Sequence, residues 1–203
     1  MGNKGASSGK SSGGGARNYQ EVDEKALDKS VDKWESKLSE AEINIISEYT
    51  GPYAFELNDR LRNDNLDTNT INNAQLLDSA LSKFDLDKDI ITYRGVTADA
   101  LESSLGFAPS ADYINKNLVG TVIKDRGFGS TSIDKMVTQD FDTDYVFKIN
   151  VPKGKGRGAY IERMTQIPEQ REFLLRSGYK LKITGATKSN LADTAVINVD
   201  LIT

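Results

Sequence analysis

The sequence predicts an α+β protein: a helical N-terminal lobe followed by a mostly antiparallel β half. Two observations carry this. As far as Phe84 the apolar residues recur at spacings of three and four between capping signals, the period of amphipathic helices. From Ile90 onward they fall in short β-branched and aromatic runs separated by Gly, Pro, Asp and Asn, the punctuation of strands. A third observation bounds the answer. With 203 residues, 37% of them hydrophobic, and a net charge of −4, the chain suits one globular domain with a sizeable core.

Residues 1–17 are rich in Gly and Ser and predict a flexible tail ahead of a single domain over 18–203. In "EKALDKSVDKWESKL" the residues Leu27, Val31, Trp34 and Leu38 form a narrow helical stripe. "SEAE" is a capping box, in which Ser39 and Glu42 satisfy free amides at the start of the helix "AEINIISEY". Thr50-Gly51-Pro52 stops that helix. "YAFELNDRLRN" and "AQLLDSALSKF" predict two more, the second with Leu77, Leu81 and Phe84 on one face. The strands follow as "IITYRGV", "TVIKDRGFGSTS", "YVFKINV", "GAYIE", "REFLL", "YKLKIT" and "AVINVDL". Between the first two, "DALESSLGFAPSADYINKNLV" reads as a loop or short-helix insertion.

Composition excludes several chemistries. There is no Cys, hence no disulfide or thiolate catalysis, and no His, hence no His-dependent hydrolase and none of the common zinc sites. Chemistry must rest on carboxylates, Arg or Lys, hydroxyls and amides. The acidic residues form no ligand cluster in sequence, so no metal is expected. The mild acidity argues against nucleic acid as the main partner. No run of about 18 apolar residues suggests a membrane span. The N-terminus lacks the apolar core of a signal peptide, and Ala6 stands where N-myristoylation after Gly2 expects Ser or Thr.

Three polar constellations remain. In "TYRGV", Arg94 leaves an apolar strand just before Gly95; its guanidinium suits phosphate oxygens, or a surface carboxylate. In "GFGSTSID", Ser130 and Ser132 share one strand face and could hold an acid and a ribose, although Ser/Thr/Gly clusters usually mark loops. In "TQIPEQREFLL", a continuous strand would put Gln170 and Glu172 on one face and Arg171 and Phe173 on the other. Such a carboxylate could stabilise an oxocarbenium-like sugar, and such an amide could orient a neutral nucleophile. The pair could equally be a polar strand lip.

Taken in order, the Arg of "YRG", the Ser-Thr-Ser strand and Gln-x-Glu leading into an apolar strand resemble the Arg/Ser/Glu class of mono-ADP-ribosyltransferases. Within that class the chain is most similar to the clostridial exoenzymes that modify an asparagine of Rho GTPases. "LNDRLR" resembles that family's helical Asn-x-x-Leu-Arg segment, here Asn58 to Arg62, and "GAYIERMTQIPEQREFLL" runs without gaps along its Tyr-Ile-acidic and Gln-x-Glu segment. The resemblance covers about Tyr19 to Thr203. It implies two roughly perpendicular, mostly antiparallel sheets with NAD as substrate in the cleft and no metal. It implies that Arg94, beside Gly95, and Arg62, with Asn58, bind NAD; that Ser130 positions Glu172, with Thr131 and Ser132 buttressing the site; and that Phe141 covers a ring. Glu172 would stabilise the oxocarbenium ion as nicotinamide leaves, and Gln170 would orient the acceptor.

The implied protein is a monomeric toxin-like enzyme, secreted or delivered to a host cytosol, with a Rho-family GTPase as partner and NAD glycohydrolysis as a side activity. Three departures bear on the acceptor. Ile167 stands where the family has an aromatic residue, and Lys135 where it usually has an Arg. Glu169 lies three residues before Glu172, so the motif is Gln-x-Glu, favouring an amide or other neutral acceptor over arginine. The competing readings are the same chemistry on another protein or a nucleobase, an inactive binding module of the same fold, and a glycosidase using Glu172 with Glu162.

Overall fold

The stripe of Leu27, Val31 and Trp34 is buried, on and just before α1 (Asp28–Glu35). This computed structural model describes residues 17–98, 101, 105–140, 143–188 and 195–202. The predicted tail, apart from Arg17, and Phe141 lie outside the described residues. The capping box forms as read at the start of α2 (Glu40–Tyr49): Glu42 N–H donates to Ser39 Oγ at 3.3 Å, and Ser39 N–H donates to Glu42 Oε2 at 2.8 Å. Burial alone would raise the Glu42 pKa, but hydrogen bonds from Lys83 and Ser39 bring it down to about 2. Pro52 breaks the chain into α3 (Tyr53–Arg62), and Asp67 caps α4 (Thr68–Ser82).

An aromatic ladder ties this lobe to the sheet. Trp34 Nε1–H donates to the Ala80 carbonyl at 2.7 Å. Its ring meets Phe84 edge-on at 5.6 Å, and Phe84 meets Phe173 edge-on at 6.0 Å. Phe173 is the immediate neighbour of Glu172, so packing in the helical lobe reaches the strand that carries the proposed acid.

The β half comprises β1 (Asp85–Leu86), β2 (Ile90–Val96), β3 (Val122–Lys124), β4 (Gly129–Ser132), β5 (Tyr145–Val151), β6 (Gly154–Lys155), β7 (Gly158–Tyr160), β8 (Glu172–Leu175), β9 (Lys180–Lys188) and β10 (Ala195–Ile202). The predicted insertion contributes α5 (Ala111–Asn117), which packs on β9. Strands β1 and β6 make a small ribbon; the other eight run β3-β9-β10-β5-β2-β4-β8-β7. Among the described residues every strand-to-strand pairing is antiparallel except β5 with β10. The run of five strands and the run of three join at one residue pair, Tyr93 opposite Ser132. That narrow joint is where the polar constellations meet.

One predicted strand divides. "TVIKDRGFGSTS" becomes β3 at the sheet edge and β4 near the opposite end, because the chain turns between them. Asp125 Oδ1 accepts Gly127 N–H at 2.8 Å, an Asx turn, and Phe128 N–H donates to Asn58 Oδ1 at 2.7 Å. Asn58 Nδ2 in turn donates to Tyr49 Oη at 2.8 Å. Asn58 therefore pins α3 to the lead-in of β4. Asn58→Ala would strand the Phe128 N–H and the Tyr49 hydroxyl, and is expected to cost about 2 kcal/mol in urea unfolding.

Candidate active site

Strands β4 and β8 pair with Ser132 opposite Glu172 and Ser130 opposite Leu174, so Ser130, Ser132 and Glu172 share a face. Glu172 is only 4% exposed. Burial raises its pKa, while the Ser130 hydroxyl, hydrogen-bonded to it, and the Arg94 charge act in the opposite direction. All four residues line one cavity of ≈290 Å³, together with Gly95, Thr131 and Gln170. The sequence-read triad is thus brought to a single site.

The continuous strand expected through Gln170 does not form. Pro168–Gln170 is a 3-10 turn, Arg171 adopts a left-handed conformation (φ 46°, ψ 51°), and β8 begins only at Glu172. Gln170 and Glu172 reach the same cavity by a corner, not by strand alternation. Arg171 points away, paired with Glu24 at 3.0 Å and Asp134 at 2.8 Å. These pairs anchor the corner from outside.

The hydroxyls of Thr131 and Ser132 serve the scaffold. Thr131 Oγ1–H donates to the Phe173 carbonyl at 2.6 Å, stapling β4 to β8, and Ser132 Oγ accepts Asp134 N–H at 3.0 Å. A Cβ on Gly95 would lie 2.7 Å from Thr143 Cγ2, so a side chain after Arg94 would have to displace the Thr143 side chain. Val137 and Thr138 close the cavity after β4, where Lys135 does not line it.

Arg94 also lines a second cavity, of ≈440 Å³, with Arg62, Lys124, Asp125, Arg126 and Tyr179. Arg62 grips Asp125 through two hydrogen bonds of 2.9 Å, Tyr179 Oη donates to Asp125 at 3.0 Å, and Arg94 Nη1–H donates to Tyr179 Oη at 3.2 Å. Four cations and one carboxylate around one hollow suit a polyanion. Glu162, the second acid of the glycosidase reading, lines neither cavity.

Sequence reasoning missed Asp125, Tyr179, Tyr93 and Phe55. Asp125 carried a usable signal, the Asp-x-Gly of an Asx turn. Tyr93, hydrogen-bonded to Glu21, and Tyr179 look like ordinary strand aromatics until the sheet closes around them. Phe55 sits on α3 at the cavity wall yet is 83% exposed.

The ADP-ribosyltransferase exoenzyme family model matches residues 27–203. The chain belongs to that family. NAD is the substrate of this enzyme family. A curated relative, the NAD(+)–arginine ADP-ribosyltransferase EFV of Enterococcus faecalis, is 32% identical over 194 residues, covering 89% of this chain and 36% of its own. The chain thus spans about a third of the length of that relative. Among solved structures, the Clostridium limosum C3 exoenzyme matches with a TM-score of 0.77 at 21% identity, over 93% of this chain and 98% of its own. C3stau2 from S. aureus, solved with NAD, matches at 0.75 and 22%, over 93% and 100%. Plx2a, a toxin from Paenibacillus larvae, matches at 0.75 and 23%, over 89% and 96%. These likenesses establish the α+β fold expected from the sequence. No helix among the described residues is long and apolar enough to cross a membrane.

Proposed function

We propose that the protein is a NAD-dependent mono-ADP-ribosyltransferase that modifies a protein side chain, with an asparagine of a Rho-type GTPase as acceptor and NAD glycohydrolysis as a side activity. One observation carries this: Arg94 lines both the cavity that holds Glu172 and Ser130 and the cavity of clustered cations. A ligand spanning the two needs a diphosphate at one end and a cleavable sugar bond at the other, which NAD has. In this arrangement Arg62 and Arg94 receive the NAD phosphates, and Asn58 holds α3, hence Arg62, in place. Thr131 and Ser132 set the β4–β8 register, and Ser130 holds the Glu172 carboxylate. As the glycosidic bond to nicotinamide breaks, its electron pair leaves with the nicotinamide. Glu172 then stabilises the oxocarbenium ion. The acceptor nitrogen attacks the anomeric carbon and loses a proton.

Gln170 beside Glu172 supports a neutral amide acceptor, which it can orient without competing as a base. Apolar side chains near the site, Phe55 at its wall and Ile167 (43% exposed) in the segment leading to Gln170, support a protein partner. We place the enzyme, as a monomer, among secreted or host-delivered toxins, as its family suggests. A second acceptor, arginine, is favoured by the likeness to the E. faecalis relative, a NAD(+)–arginine ADP-ribosyltransferase.

Label transfer from adenine-labelled NAD onto purified Rho and onto whole-cell lysate tests the reading, with the modified residue mapped by mass spectrometry. Labelled asparagine on Rho supports it in full; labelled arginine, or labelled lysate with blank Rho, moves the acceptor. No label and no nicotinamide release would favour an inactive binding module. Gln170→Ala is expected to lower transfer to protein by about tenfold or more while nicotinamide release to water stays within about threefold.

A further inference from the structure

Arg94 lines both cavities, so whatever holds its guanidinium bears on both. Among the described residues that guanidinium donates one hydrogen bond, from Nη1–H to Tyr179 Oη at 3.2 Å. The same hydroxyl donates to Asp125 Oδ2 at 3.0 Å, and Asp125 accepts Arg62 Nε–H and Nη2–H at 2.9 Å each. One phenol therefore stands between a cation and a carboxylate, accepting from the first and donating to the second. Both bonds are charge-assisted. The two arginines are not held alike. Arg62 is gripped twice by Asp125, whereas Arg94 has only the phenol.

The fold fixes that phenol from several sides. Tyr179 lies where the chain crosses from β8, in the three-strand run, to β9, in the five-strand run. Its carbonyl accepts Asp125 N–H at 3.1 Å, one step beyond the Lys124–Lys180 pair of β3 and β9. Its ring lies against β4: a Cβ on Gly129 would fall 2.7 Å from Tyr179 Cε1 and 2.9 Å from Cζ. Gly127 leaves the matching space for Arg62, whose Nε would lie 3.3 Å from a Cβ there. The two glycines of "GFGSTSID" thus admit the tyrosine and the arginine. Burial and the Asp125 charge hold the phenol up at about 12, against the pull of Arg94, so at neutral pH its proton stays available to Asp125.

We propose that Tyr179 is a positioning residue for NAD binding: its hydroxyl anchors the Arg94 guanidinium to the Asp125–Arg62 pair, at the spacing in which the two arginines receive one diphosphate. The role rests on the reading of Arg62 and Arg94 as the groups that receive the NAD phosphates. Tyr179→Phe keeps the ring against Gly129 and removes only the hydroxyl, so the variant is expected to fold and to melt within about 4 °C of wild type. Loss of a hydrogen bond to a charged group should raise the Kd for ADP-ribose, by calorimetry, and the KM for NAD together by roughly 5- to 50-fold. The kcat for nicotinamide release should stay within about threefold, because Glu172 and Ser130 are untouched. Arg94→Met removes the guanidinium and keeps the stem. In that background Tyr179→Phe should change the Kd by no more than about twofold, since nothing is left to aim.

Weakened ADP-ribose binding in Arg94→Met beside wild-type binding in Tyr179→Phe would overturn the proposal alone. So would full additivity of the two substitutions, or a fall in kcat larger than the rise in KM, since either puts the effect of the hydroxyl somewhere other than the grip of Arg94 on phosphate. A wild-type Kd in Arg94→Met would sink the reading of the cationic cavity, and the proposal with it. Should the wild-type protein release no nicotinamide, the calorimetric cycle still decides between these outcomes.

Discussion

Glu172→Gln is expected to lower nicotinamide release and ADP-ribosyl transfer by at least about 100-fold, roughly 3 kcal/mol of transition-state stabilisation, while NAD affinity changes little. The substitution keeps shape and a hydrogen-bonding oxygen, and Gln can still accept from Ser130. What it removes is the negative charge, which matters only when the sugar becomes cationic. The site magnifies that charge because Glu172 is almost fully buried and its field is little screened. The same burial raises its pKa above the ordinary 4.5, Ser130 and Arg94 offsetting only part. Below that pKa the group is neutral and cannot stabilise the cation, so the acid limb of the wild-type profile belongs above pH 4.5. In Glu172→Gln that contribution to the limb should disappear. A variant within tenfold of wild type would remove Glu172 from this role.

Most of the scaffold around this site was legible in the residues. The helical stripe, the capping box, the Gly-Pro stop and six of the seven predicted strands express local chemistry, which survives into the fold because burial agrees with it. The errors have a common cause. "TVIKDRGFGSTS" reads as one strand because periodicity sees only apolar spacing. It is two because Asn58, 70 residues away, accepts the Phe128 N–H. Gln170 reads as a strand residue because alternation gives it the right face. It reaches that face through Pro168 and a left-handed Arg171, a route alternation does not encode.

The site was legible to a different depth. Arg94, Ser130 and Glu172 announce themselves by residue type and order, and the sheet joint brings them together. Arg62 was legible as a cation but not as one already gripped by Asp125, since ion-pair partners 63 residues apart leave no local pattern. Its bidentate pair with Asp125 pre-orients a guanidinium that also lines the cationic cavity. Residues that touch substrate advertise their chemistry; residues that aim them, such as Asp125 and Tyr179, do so only through contacts.

Gly158→Ala is expected to be the most damaging small substitution to the fold, at about 3 kcal/mol or more. Gly158 has φ +149°, and a Cβ built on it would fall 2.2 Å from the Leu174 carbonyl oxygen and 3.0 Å from Leu175 Cα. Neither contact belongs to a flexible side chain. Relief would require β7 to move off β8, two residues from Glu172 and directly ahead of the turn that carries Glu162. Conformational strain and steric displacement therefore add. Gly178 separates the two terms: its φ is +70°, but nothing lies within 4 Å of its would-be Cβ. Gly178→Ala carries only the left-handed penalty, about 1 kcal/mol. For a chain of this size each kcal/mol shifts Tm by about 2–4 °C, so Gly158→Ala should melt roughly 6–12 °C below wild type. Gly178→Ala should lose less than half as much. Equal losses in the two variants would mean that backbone conformation alone sets the cost and that β7 and β8 can part without penalty. A larger loss at Gly158, with kcat for nicotinamide release falling at temperatures where the variant is still folded, would tie the spacing of those two strands to the aim of Glu172.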